Sequence, residues 1–150
     1  MHNYKQAALF LIYLTQLMDD STNQKERIKA IVVDDDEDSS DSICKALEIG
    51  GINVIGKGFD GEQAYQLYKT LTPDVLILDM NMPNYDGGYA LEKITQDYPD
   101  AKIIVVTAYT DYKFEKAKAA AIFTKPYDFE PFLDTVKKIA LGQTQSAIIK

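Results

Sequence analysis

Five short apolar runs alternate along the chain with stretches of helical period. The runs cover 29–34, 52–57, 75–79, 102–107 and 121–124. They are near-continuous rather than alternating, which predicts strands buried on both faces, as in a parallel sheet. The first predicted helix covers 39–48, with Ser39 or Ser40 as N-cap, and Gly50-Gly51 ends it. In the second, Ala64, Leu67, Tyr68 and Leu71 keep one apolar face, and Asp60-Gly61 reads as the turn before it. Pro73 breaks the chain, and Asp74 reads as a turn residue. The loop "NMPNYDGG" (81–88) leads to a third helix with Leu91, Ile94 and Tyr98 on one face, stopped by Pro99. The fourth, 111–120, is rich in Lys and Ala. The fifth, 128–141, carries Phe129, Phe132, Leu133, Val136 and Ala140 as a stripe.

This alternation predicts an α/β fold, a doubly wound five-stranded parallel sheet. A strand order of 2-1-3-4-5 would set the first and third strands together at the centre. Residues 1–27 stand apart as an apolar segment, "AALFLIYL" at 7–14, and a polar linker at 19–27. The regular pattern runs over 28–141, and 142–150 reads as a tail. The apolar segment is too short to span a bilayer, and no small-residue cleavage site follows it. An extra N-terminal helix is expected there.

Four of the runs stop on residues suited to phosphate and metal chemistry. "AIVV" ends on Asp34-Asp35, "VLIL" on Asp79, "IIVV" on Thr107 and "AIFT" on Lys125-Pro126. In a parallel sheet all strand C-termini open onto one edge, where ligands bind. Residues far apart in sequence thus meet at one site. Three carboxylates suit a hard divalent cation, and a hydroxyl with an ammonium suits phosphoryl oxygens.

Composition narrows the chemistry further. A net charge of −7 argues against nucleic-acid binding, which needs a basic face. The single histidine, His2, excludes His-based metal sites and Ser-His-Asp catalysis. The single cysteine, Cys44, cannot form an internal disulfide and reads as a small core residue, so a reducing, cytoplasmic setting is expected.

The motifs "IVVDDDED", "PDVLILDMNMPNYDGG", "VVTA" and "TKP", in this order over 28–141, resemble the receiver domain of two-component response regulators. The resemblance implies a flavodoxin-like fold. It also implies that Asp79 accepts a phosphoryl group from a phosphohistidine on a sensor histidine kinase or phosphotransfer protein. Asp35 and Asp79 would bind Mg²⁺, or Mn²⁺, directly. Asp34 would hold it through water, and the Asn81 carbonyl would add a ligand. Thr107, the backbone of Ala108 and Lys125 would hold phosphoryl oxygens, and the Lys125–Pro126 bond would be cis. Receivers usually carry Tyr or Phe three residues before the site lysine, where this chain has Ile122. Tyr109 is the candidate substitute.

The reading is a stand-alone receiver that catalyses only its own phosphorylation and dephosphorylation. Its output would be a surface around the fourth helix, fifth strand and fifth helix, meeting a downstream protein. The alternative is a phosphatase of the haloacid dehalogenase class, with Asp34 as nucleophile in the Asp-x-Asp of "DDDED". The N-terminal segment is read as a helix packed on the domain, as a homodimer or membrane-surface contact, or as untranslated, since a start at Met18 would also give an ordinary receiver beginning; a helix used for association is the favoured reading.

Overall fold

A computed structural model describes residues 4–22, 27–109, 118–143 and 148–149. Helix α1 (Tyr4–Thr22) comes first. Strand β1 (Lys29–Val33) is followed by α2 (Glu37–Ile49), β2 (Asn53–Gly58), α3 (Gly61–Leu71) and β3 (Val75–Asp79). Then come α4 (Gly87–Asp97), β4 (Ile103–Thr107), β5 (Ala121–Thr124), α5 (Phe129–Ala140) and a two-residue strand, β6 (Ile148–Ile149). The strands form one sheet of order β2-β1-β3-β4-β5-β6, and every pairing is parallel. The expected order is present over the first five strands. The tail departs from expectation, because Ile148 and Ile149 pair with Ala121 and Ile122 and extend the sheet edge. Most of the expected fourth helix, residues 111–117 of 111–120, lies outside the described residues.

Two-residue alternation sends each strand's side chains to opposite faces and builds two cores. On one face Ala30, Val32, Ile77, Val106 and Phe123 meet Ile43 and Leu47 of α2 and Phe132, Val136 and Ile139 of α5. On the other, Ile31, Val33, Leu76, Leu78, Val105 and Ile122 meet Ala64 and Tyr68 of α3 and Leu91 and Ile94 of α4. Cys44 lies in the first core, as expected. Phe132 is fully buried, with Phe123 edge-on at 5.1 Å, a burial worth about 1.5–3 kcal/mol.

Helix starts and faces differ from the sequence reading in two places. Asp36, not Ser39 or Ser40, caps α2, with its carboxylate accepting from the Asp38 and Ser39 amides. Both serines therefore fall inside the first turn. On α5 the buried residues are Phe132, Thr135, Val136 and Ile139, while Phe129 is exposed. The inward stripe thus lies one position round from the expected one. Asp74 ties the starts of β1 and β3 by accepting from the Lys29 amide at 2.8 Å.

Residues 4–15 of helix α1 are exposed and belong to neither core. It runs into the stretch expected as linker. No helix among the described residues is long and apolar enough to cross a membrane.

Candidate functional site

The C-terminal ends of β1, β3, β4 and β5 carry the chemistry. Adjacency of β1 and β3 sets Val33 beside Leu78, so the next residues on each strand, Asp34 and Asp79, meet at the sheet edge. Carboxylate oxygens of Asp34, Asp35 and Asp79 all lie within 4.8 Å of one another. Asp34 and Asp79 are buried, and Asp35 is exposed. Three mutually repelling carboxylates at one point suit a hard divalent cation with oxygen ligands.

The two buried carboxylates are held differently. Asp34 Oδ1 accepts from the Asp36 amide at 2.9 Å, a local turn bond. Its Oδ2 accepts from Lys125 Nζ at 3.3 Å. Asp79 accepts through Oδ1 from the Asn81 amide at 3.3 Å. Burial pushes the Asp79 carboxyl up to about 6, against the pull of the Lys125 charge, and Asp34 and Asp35 push it further. This is the carboxylate whose ionised form most needs an added positive charge.

Thr107 and Lys125 complete the edge. Thr107 pairs with Thr124 across β4 and β5, and its carbonyl accepts from the Lys125 amide at 2.8 Å. Buried Thr107 Oγ1 accepts from the Tyr109 amide at 3.1 Å and from Asn81 Nδ2 at 3.5 Å. Lys125 Nζ also donates to Ser39 Oγ at 3.4 Å. Ala108 is exposed beside Thr107. The Lys125–Pro126 peptide is cis.

The two candidate switch positions sit very differently. Ile122 is fully buried in the α3–α4 core, while Phe123 packs in the opposite one. Tyr109 is 63% exposed. Sequence reasoning passed over Tyr127. Its ring stacks against Phe123 and Phe132, and burial raises its phenol pKa, with the charges of Asp34 and Asp79 adding to the shift. Its place two residues after Lys125 was the available signal. Sequence reasoning also gave Ser39 only a capping role.

The family model of the response regulator receiver domain matches residues 30–137. The chain belongs to this family, the receivers of two-component signalling. It is 33% identical to the response regulator GacA of Pseudomonas aeruginosa over 121 residues, covering 77% of this chain and 56% of that one. It is 28% identical to the transcriptional regulatory protein DegU of Brevibacillus brevis over 130 residues, covering 83% of this chain and 55% of that one. Among solved structures it resembles the response regulator protein TrrA of Thermotoga maritima in complex with Mg(2+)-BeF. That likeness has a TM-score of 0.70 and 28% identity, and covers 75% of this chain and 98% of that one. The chain spans about half the length of the two curated relatives.

Family membership removes the phosphatase alternative. Receivers are signalling modules that meet histidine kinases or phosphotransfer proteins.

Proposed function

We propose that Asp79 is the phosphoacceptor of this receiver. The observation that carries the reading is the meeting of Asp34, Asp35 and Asp79 within 4.8 Å at the edge where Thr107 and Lys125 end their strands. Asp35 and Asp79 would hold Mg²⁺, or Mn²⁺, directly, Asp34 through water, and Asn81 through its carbonyl. The cation, when bound, supplies charge neutralisation for an incoming phosphoryl group.

The chain's own residues do the rest. An Asp79 carboxylate oxygen attacks phosphorus, and the bond from phosphorus to the kinase imidazole nitrogen breaks. The electron pair leaves with the imidazole, and Asp79 transfers no proton. Lys125 and Thr107 face the new phosphoryl oxygens. Thr107 Oγ1 can keep accepting from the Tyr109 amide while its own hydroxyl hydrogen donates to them. A shift of Thr107 would thus reach the Tyr109 backbone directly. Because Ile122 is fixed in the core, Tyr109 is the better candidate for relaying that motion to the surface of β5 and α5. A downstream protein would read this surface.

The output would be a protein surface. The matched stretch makes up only 55% and 56% of the two curated relatives. Helix α1 would serve self-association through the large apolar side chains it exposes, among them Leu9, Phe10, Leu11 and Ile12.

Acetyl phosphate with Mg²⁺ should add one phosphoryl mass to the protein, and a chelator should block it. Equal modification with and without the chelator would refute the metal role.

A further inference from the structure

Lys125 is anchored at two points away from Asp79. Its ammonium lies 3.3 Å from Asp34 Oδ2 and 3.4 Å from Ser39 Oγ. An ammonium has three donors, so two are engaged and one is left for an arriving oxygen. Both anchors come from the β1–α2 turn, whose own bonds place them. Asp34 Oδ1 is tied to the Asp36 amide, which leaves Oδ2 for Lys125. Asp36 Oδ1 in turn holds the Ser39 amide at 3.3 Å, setting Ser39 one turn into α2. The Ser39 side chain is therefore half-buried toward the site rather than in water.

We infer that Ser39 is a positioning residue for phosphoryl transfer, acting through Lys125. Its hydroxyl accepts from the ammonium and holds it beside the site, short of closing an ion pair on Asp79. The Asp79 carboxylate stays open for the cation and for attack. The ammonium also waits where the transferred group arrives, so its reorientation is small. With a hydrogen taken by the Ser39 oxygen, the lysine chain loses part of its rotamer freedom before reaction rather than during it. Asp34 alone cannot do this, because one contact fixes the distance of a flexible chain but not its direction.

This inference rests on Asp79 as the acceptor. In the transfer from acetyl phosphate, an Asp79 oxygen bonds to phosphorus and the phosphorus–oxygen bond to the acetyl group breaks. Acetate leaves with the electron pair, and no oxidant, reductant or further co-reactant is used. Ser39 forms no bond to phosphorus and transfers no proton.

A double-mutant cycle tests the inference. Phosphorylation rates by acetyl phosphate with Mg²⁺ would be compared for wild type, Ser39→Ala, Lys125→Ala and the double variant. Ser39→Ala should slow the reaction about fivefold, the scale of one modest hydrogen bond. It should have no effect in the Lys125→Ala background, and Ser39→Thr should restore the rate. A second readout needs no metal. The Lys125 side-chain NMR resonances of the metal-free protein should move in Ser39→Ala and return toward wild type in Ser39→Thr. An equal slowing in both backgrounds would show a packing role in the first turn of α2 and overturn the inference. So would unmoved Lys125 resonances. A wild-type protein that takes no phosphoryl group would instead refute the reading of Asp79, and the NMR comparison would still judge the Ser39–Lys125 contact.

Discussion

Gly87 lies directly beneath Asp79. A Cβ built on it would collide with the Asp79 carbonyl oxygen and lie 2.7 Å from the Met80 Cα. The Gly87 amide donates to the Met80 carbonyl at 3.2 Å, and the neighbouring Asp86 caps α4. The loop before α4 is thus folded back under Asp79. Gly61 repeats the device one helix earlier. Its amide donates to the Tyr85 carbonyl at 2.6 Å, and a Cβ there would meet the Asp86 carbonyl oxygen. Two close backbone approaches therefore link the start of α3 to the backbone of Asp79.

Gly87→Ala should cost about 1–3 kcal/mol of stability, the scale of forced overpacking. It should also slow phosphorylation by displacing Asp79. Urea unfolding followed by circular dichroism checks the first effect. Wild-type stability in this variant would show that the loop gives way freely.

Much of this arrangement was legible from local pattern. β3 and β5 are uninterrupted apolar runs, one bounded by Pro73 and Asp79 and the other by Lys125-Pro126, and the structure begins and ends both as expected. The start of α2 was not, because Asp36, Ser39 and Ser40 are all good caps. Asp36 wins because its carboxylate reaches two free amides at once. β6 was illegible because two isoleucines carry no period, and only the open edge of β5 makes them a strand. The Ser39–Lys125 contact joins positions 86 residues apart and has no local signature.

Asp79 should impose a pH slope on the metal-free protein. Its folded pKa, about 6, lies above the ordinary carboxylate value. At pH 5 the folded state therefore holds a proton that the unfolded state has released. Stability from this group is greatest below about pH 4 and falls as pH rises to about 6, beyond which the cost is constant. The melting temperature of wild type minus that of Asp79→Asn, measured from pH 4 to 7 in a chelator, should fall over this window. A flat difference would mean that Asp79 is not buried as charge.

The acids should differ in their service to the cation. Asp34 is already bonded to Lys125 and the Asp36 amide, whereas Asp35 is exposed. Asp35→Ala should weaken Mg²⁺ binding by about tenfold or more, equivalent to about 1.4 kcal/mol, and Asp34→Ala by less. Calorimetric titration decides, and wild-type affinity in Asp35→Ala would contradict the ligand assignment.

Removing residues 1–17 should leave phosphorylation of Asp79 unchanged, because residues 4–15 contribute to neither core. The same truncation should reduce any self-association seen by analytical ultracentrifugation. A truncated protein that fails to fold would place the segment in the domain itself.

The most direct test of the central claim is intact-mass analysis of Asp79→Asn after incubation with acetyl phosphate and Mg²⁺. Wild type should gain one phosphoryl group, and the variant should gain none while keeping its circular dichroism. A full phosphoryl adduct on the folded Asn variant would contradict Asp79 as the acceptor.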